Sequence, residues 1–190
     1  MEPVDAIPYL LDREPAPGRL ELVQRFVNTV DHEHGREVLW SPARLRDLLV
    51  ELGLLDRGVR VGPGDLRRAL EVREALRELA LANNGGAHAR AAAATLERTS
   101  ADVGLVVRFD AGASTLEPAR RGVRGALAEL VGIVHTAIAD GTWPRLKACR
   151  RDVCGWLFYD RSRNSSARWC QMAVCGNRTK TRAYRARRVL

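Results

Sequence analysis

The sequence predicts a mainly α N-terminal domain with a small β element, an α+β unit, followed by a small C-terminal four-cysteine module made of a β-hairpin and a basic helix. Three observations carry this expectation. Apolar residues recur at three- and four-residue spacing through most of the first 140 positions, as helices with one buried face require. All four cysteines lie between positions 149 and 175, and the surplus positive charge is confined to the end of the chain. With 190 residues and 46% hydrophobic composition, the chain can build one ordinary domain over 1–140 and attach a compact module over 141–190. A module that small cannot bury enough apolar surface alone, which is the situation in which a metal or disulfides are recruited.

Residues 1 to 19 hold four prolines and little periodicity, so they read as an irregular lead-in with one short strand at Ile7 to Leu11. From Leu20 a helix is expected, with Leu22, Val23, Phe26, Val27 and Val30 on its apolar face. Ser41-Pro42 has the form of a helix start, a capping residue followed by Pro at the first helical position, and Leu45, Leu48, Leu49 and Leu52 form the stripe behind it. Gly53 ends that helix. Asp65 caps the next, which runs to about Ala82 with Leu66, Ala69, Val72, Leu76 and Leu79 inward, and Asn83-Asn84-Gly85-Gly86 stops it. An Ala-rich segment from His88 to Glu97 precedes two short strands, Val103 to Phe109 and Ser114 to Glu117, around a turn at 110–113. A long helix from Arg120 to Ala139 closes the domain, with Val123, Leu127, Leu130, Val131, Val134 and Ile138 inward and His135 packed among them.

Charge separates the two parts. From Thr142 to Leu190 there are thirteen Lys or Arg against two acids, Asp152 and Asp160, while the preceding 141 residues hold 18 basic and 21 acidic side chains. The whole formal charge of +8 therefore resides in the tail, which points to a polyanionic partner for one end only. No basic start followed by an apolar run is present, and no segment approaches eighteen uninterrupted apolar residues, so a soluble cytoplasmic protein without a membrane partner is expected.

In a reducing compartment, clustered cysteines are metal ligands more often than disulfides. Cys149 and Cys154 have four residues between them, as do Cys170 and Cys175, with fifteen residues between the pairs. A tetrahedral thiolate site needs two close pairs, each held by a turn, and an insert that folds back to bring them together. Zn2+ is the ion this pattern favours. Iron–sulfur ligation stays open on the same ligands, although no ferredoxin-type cysteine run is present; a redox pair is disfavoured because no C-x-x-C occurs. Within the insert, Trp156-Leu157-Phe158-Tyr159 reads as one strand, Ser162 to Ser166 as a turn, and Arg168-Trp169-Cys170-Gln171-Met172 as the returning strand. The aromatic residues read as a mini-core around the metal, with a base-stacking platform as the alternative. Thiolate charge calls for nearby Arg, Lys and backbone N–H groups.

After Cys175, Asn177 is suited to cap a helix over Arg178 to Arg188. Arg178, Arg182, Arg185 and Arg188 then recur along one stripe, with Tyr184 docking the other side. Such dense like charge disfavours a lone helix, and a phosphate backbone offsets it. With Lys180 and the insert residues Arg163 and Arg168, this stripe is the expected nucleic-acid surface. A helix fits the major groove of duplex DNA, where Arg pairs with guanine. Two other classes remain open: an RNA-binding or ribosome-associated protein, for which exposed aromatics would matter most, and a protein-interaction module that uses zinc only to fold.

The N-terminal domain offers Asn28, Thr29, Asp31, His32 and His34 near a helix end. Asn28, Thr29 and His32 are the candidates for a small-molecule effector site, against the alternative of helix capping and surface polarity. No glycine-rich phosphate loop, HExxH or positioned nucleophile is present, so no enzyme is expected. Because one zinc module makes a small interface, useful specificity calls for a homodimer or a partner.

The motifs Trp143-x-Arg145-Leu146-Lys147-x-Cys149, Cys154-Gly155-Trp156-x-Phe158-Tyr159-Asp160-Arg161-Ser162-Arg163-Asn164, Arg168-Trp169-Cys170-x-Met172 and Cys175-Gly176-Asn177-Arg178 resemble the CGNR zinc-finger family almost position by position. The stretch from Lys180 to Arg188 matches that family's basic end. The resemblance implies that Cys149, Cys154, Cys170 and Cys175 are zinc ligands and that the finger binds DNA. Phe26-Val27-Asn28-Thr29, Leu39-Trp40 and the Leu70 to Leu79 pattern with Arg73 resemble the ABATE domain that commonly precedes this finger, which implies transcriptional regulation in a stress response. The chain departs from that pattern in lacking an acidic residue directly after Asn28-Thr29 and in its Pro-rich start.

Overall fold

The computed structural model describes residues 14–87 and 89–188. The strand expected at Ile7 to Leu11 lies outside the described residues. The fold is about half helical with small antiparallel hairpins, and none of the described helices is long and apolar enough to cross a membrane.

Helix α1 (Leu20–Val27) buries Leu20, Val23, Phe26 and Val27. Val30, expected on the same face, has left the helix: β1 (Val30–Asp31) pairs with β2 (Arg36–Glu37) in a two-stranded ribbon. Helix α2 (Pro42–Glu51) starts as expected, with Ser41 extended and its Oγ accepting the Arg44 N–H at 3.3 Å. Helix α3 (Pro63–Ala82) begins two residues before Asp65. That carboxylate acts from inside the first turn, where Oδ2 accepts the Gly62 N–H at 2.9 Å, satisfying an amide at the helix entrance. Helix α4 (Arg90–Ala101) follows.

Strands β3 (Leu105–Asp110) and β4 (Ala113–Pro118) form a hairpin in the register Asp110↔Ala113 to Leu105↔Pro118, lying against helix α5 (Val123–Ala139). Near the end of α5 the side chains of His135 and Ile138 are exposed rather than inward. They lie three apart on the solvent side of α5, while Val134 and Ala137 on its other side are buried in the core.

A short 3-10 turn (Trp143–Arg145) leads into β5 (Leu146–Ala148), which pairs antiparallel with β6 (Leu157–Tyr159). This corrects the sequence expectation, which paired 156–159 with 168–172. The segment after Tyr159 instead forms an irregular loop and then a π-helical turn (Met172–Gly176) that runs directly into helix α6 (Asn177–Arg188). Asn177 is therefore the first residue of a continuing helix rather than a cap, and its Nδ2 donates back to the Ala173 carbonyl at 3.2 Å.

The core is continuous across both parts. Leu146, Ala148 and Leu157 of the C-terminal hairpin join Phe26, Leu49, Leu76 and Leu130 in one buried cluster. Each fully buried leucine contributes roughly 2 kcal/mol, so the cysteine module is held onto the helical domain by apolar burial as well as by polar contacts.

Candidate metal centre and basic surface

The first cysteine pair sits on the β5–β6 connection. Cys149 follows β5, its N–H still donating to the Trp156 carbonyl at 2.9 Å, and Cys154 closes the turn before β6. The second pair brackets the π-helical turn, with the Cys175 and Gly176 N–H groups both returning to the Gln171 carbonyl at 2.9 and 3.3 Å. Gly176 is needed for its size: a Cβ there would lie 2.3 Å from Met172 Sδ and 3.0 Å from Trp169 Cδ1.

The four Sγ atoms all lie within 4.8 Å of one another. Cys170 Sγ is 3.6 Å from both Cys154 Sγ and Cys175 Sγ. A tetrahedral centre with metal–sulfur bonds near 2.3 Å requires sulfur–sulfur separations of about 3.8 Å. The donor set therefore fits a four-thiolate metal site, and the cysteines are free thiols, not disulfides.

Two arginines offset the charge such a site gathers. Arg151 donates to Cys175 and to both carboxylate oxygens of Glu33, at 2.6 and 2.9 Å, which raises its pKa further above the ordinary guanidinium value. Glu33 is held below the usual carboxylate range by the hydrogen bond from Arg151. Arg77 lies close enough to Cys154 to interact electrostatically with it. Among the thiols, hydrogen bonds from Cys154 and Cys170 pull Cys149 down, while hydrogen bonding to Cys149 and Cys170 pushes Cys154 up.

Between the pairs, a buried ion pair shapes the 160–167 loop. Lys147 Nζ donates to Asp160 Oδ2 at 2.7 Å and to the Ser165 carbonyl at 2.6 Å. Asp160 also accepts the N–H groups of Ser162 and Ala167, each at 2.9 Å. Burial would raise the Asp160 pKa, but the Lys147 ammonium and the N–H donors more than offset it and hold it at about 2. Arg145 Nη1 donates to the carbonyls of Asp160 and Ser162, each at 2.9 Å. The failed strand expectation has its reason at β6 itself: β5 takes one edge and Asn28 bonds Leu157 on the other, while the Arg168 carbonyl accepts from the Arg150 N–H at 3.1 Å and from Asn84.

The helical domain grips the module through polar side chains that the sequence reading assigned elsewhere. Asn28, 1% exposed, donates through Nδ2 to the Leu157 carbonyl at 2.9 Å and accepts the Leu157 N–H on Oδ1 at 2.8 Å. Thr29 Oγ1 donates to the Phe26 carbonyl and accepts from Arg73, which is itself paired with Glu37. His32 lies against Gly155 and Arg77, and burial lowers its pKa. The hydrogen-bonding groups of Asn28 and Thr29 are thus committed to protein partners.

At the end of α3, Asn83 Nδ2 donates to the carbonyls of Trp143 and Leu146, at 2.8 and 2.9 Å. Asn84 Nδ2 does the same to Ala148 and Arg168, at 2.8 and 2.9 Å. Arg77 Nη1 reaches the Gly155 carbonyl at 2.6 Å and Nη2 the Val27 carbonyl at 2.8 Å. The sequence signal for Arg73 and Arg77 was their position, four apart among Ala69, Val72, Leu76 and Ala80 on the buried face of α3. A charge in an apolar stripe has to find a partner.

Of the expected nucleic-acid residues, Arg163, Arg168, Lys180 and Arg182 are exposed. Arg182 faces Asp152 at 3.6 Å. Arg178 is also exposed and pairs with Glu33, so the β1–β2 turn meets the start of α6. Arg185 and Arg188 lie in the last turns of α6. Trp156 and Phe158 are buried and Tyr159 and Trp169 half-buried, consistent with a mini-core. Tyr184, expected to dock α6, is 52% exposed.

Fold and site together define a helical domain with a docked four-thiolate finger. The ABATE family model, described as "Putative stress-induced transcription regulator", matches residues 20–144, and the CGNR zinc finger model matches residues 145–188. The chain belongs to the ABATE family and carries a C-terminal CGNR zinc finger. No curated protein matches the chain.

Proposed function

We propose that this chain is a transcription regulator, not an enzyme, in which Zn2+ on Cys149, Cys154, Cys170 and Cys175 holds the finger and the finger binds duplex DNA. The observation that carries the reading is the division of the module's basic side chains. Arg145, Lys147 and Arg151 are spent on the loop, the ion pair and the thiolates, while Arg163, Arg168, Lys180 and Arg182 stand exposed on the loop and on α6. Structural demand for charge is met with cation to spare, and a phosphate backbone is the partner that uses the remainder. Burial of Trp156 and Phe158 favours duplex DNA over single-stranded RNA, because it removes the faces on which bases would stack.

In this reading the helical domain senses an effector or joins two copies, and the protein acts in the cytoplasm at the nucleoid. The test is anisotropy on fluorescent duplex, single-stranded DNA and RNA over a salt series. Tighter binding to duplex, with a log–log salt slope that falls by about 0.9 for each phosphate-contacting arginine replaced by alanine, is expected. Preference for single-stranded RNA would favour the RNA-binding class. Binding indifferent to Arg163, Arg168, Lys180 and Arg182 would favour a protein-interaction finger.

A further inference from the structure

The end of α3 remote from the finger opens on a cavity of about 480 Å³ lined by Arg67, Arg68, Arg98 and Arg124 together with Gly64, Asp65 and Glu71. These guanidinium groups come from three helices, two from α3 and one each from α4 and α5. Asp65 and Asn84, at the two ends of α3, are separated by about 28 Å of helix rise.

Local acids offset part of the charge, since Asp65 and Glu71 share the lining, but they are not paired with every arginine. Arg68 is paired with Asp102 at 2.5 Å, and Arg98 donates to Thr95 Oγ1 at 3.1 Å. Asp65 is already accepting the Gly62 amide. Arg67 and Arg124 have no acidic partner among the described residues.

The start of α5 adds to the positive field, whereas Asp65 offsets the start of α3. Gly64 and Asp65 are in the first turn of α3 and Arg124 is in the first turn of α5. Helix α5 is preceded by Gly122, so it has no side-chain cap, and its first turn holds no acid to complement the dipole. Arg124 therefore adds a like charge where an acidic residue would be favourable. There is room beside Gly64, where the nearest atom a Cβ would meet is Arg67 Nη2, at 3.9 Å.

From this arrangement we infer that the cavity is an anion site for a compact phosphate-bearing ligand, with Arg67 and Arg124 as its principal contacts. The lining is almost wholly polar and charged, which suits phosphate groups and gives an aromatic base little to pack on. Glu71, on the next turn of α3, can accept from a ligand hydroxyl. The inference rests on the reading of the helical domain as a sensor and supplies its site; Asn28 docks the finger, His32 lies against Gly155 of the finger, and Thr29 is bonded to Phe26 and Arg73 within the helical domain.

The test uses the full chain and pyrophosphate as the probe, by titration calorimetry at physiological salt. Because the finger is also cationic, wild type is compared with Arg67→Ala/Arg124→Ala and with Arg163→Ala/Arg182→Ala. Saturable binding of one pyrophosphate per chain is expected, weakened about tenfold or more for each pocket arginine lost and kept in the finger variant. If the alanine variant does not fold, Arg67→Lys/Arg124→Lys, which keeps the charge but loses the fork geometry, is expected to weaken binding with an unchanged circular dichroism spectrum.

No saturable binding in wild type overturns the inference, as does equal affinity in wild type and the pocket variants, or loss of pyrophosphate binding only in the finger variant. A sugar phosphate titrated beside pyrophosphate, with wild type and Glu71→Gln, separates a hydroxylated ligand from a simple polyphosphate. Duplex DNA binding measured on the same proteins keeps the two readings apart: pyrophosphate binding without DNA binding overturns the DNA reading alone.

Discussion

Asn28 and Leu157 exchange two hydrogen bonds, side-chain amide to main-chain amide, at 2.9 and 2.8 Å. The side chain completes the outer edge of β6 as a neighbouring strand would, and it joins the first helix of the ABATE domain to the finger across 129 residues of chain. Asn28→Ala leaves a buried N–H without an acceptor and the carbonyl with only the longer contact from Gln24, at 3.4 Å. A loss of about 2 to 3 kcal/mol is expected, read by urea denaturation. Asn28→Asp keeps the acceptor but loses the donor and is expected to cost a similar amount. A loss below about 0.5 kcal/mol for both variants would show that the pair contributes little.

The Lys147–Asp160 pair makes stability depend on pH in a stated direction. The carboxyl titrates near 3.8 when unfolded and at about 2 when folded, so the unfolded chain takes up the proton first. The stabilisation is complete above pH 3.8 and fades as pH falls toward 2, amounting to about 2 kcal/mol at neutral pH. Asp160→Asn is therefore expected to be clearly less stable than wild type at pH 6, with the difference shrinking below pH 4. A difference constant from pH 6 to pH 3 would contradict the assignment.

Metal affinity should depend on Arg151, which touches Cys175 without being a ligand. Arg151→Ala is expected to weaken metal binding about tenfold, measured by competition with a chromogenic chelator, because the thiolate charge is then less well offset. Cys170→Ser should abolish stoichiometric metal and melt the finger. Since Leu146 and Leu157 lie in the common core, the whole chain should lose thermal stability with it. Normal metal content in Cys170→Ser, or an unchanged Tm, would contradict this account.

Much of the helical domain was legible because its elements follow local rules. Ser41-Pro42 starts α2, Gly53 follows its end, and the apolar spacing marks α3 and α5. The thiolate cluster was legible because two equal spacings bracket one insert. What escaped depends on contacts distant in the chain. The strand Leu157 to Tyr159 is plain in sequence, but its edges are taken by β5 and by Asn28, which lies 129 residues away in the chain. Asn83 and Asn84 read locally as helix stops, and only their carbonyl partners some sixty to eighty residues away reveal them as clamps. Polar residues at 28–34 read as helix capping and surface polarity, with a pocket as the alternative, because sequence does not reveal that Leu157 and Arg151 come to meet Asn28 and Glu33.

In the proposed function, arginines of the finger place this protein on DNA. This is tested most directly by genome-wide occupancy of the intact protein beside its Arg182→Ala/Arg185→Ala variant, at matched expression and metal content. Discrete sites of enrichment that collapse in the variant are predicted. Occupancy no higher than background for the intact protein, or a profile unchanged by the two substitutions, would contradict it.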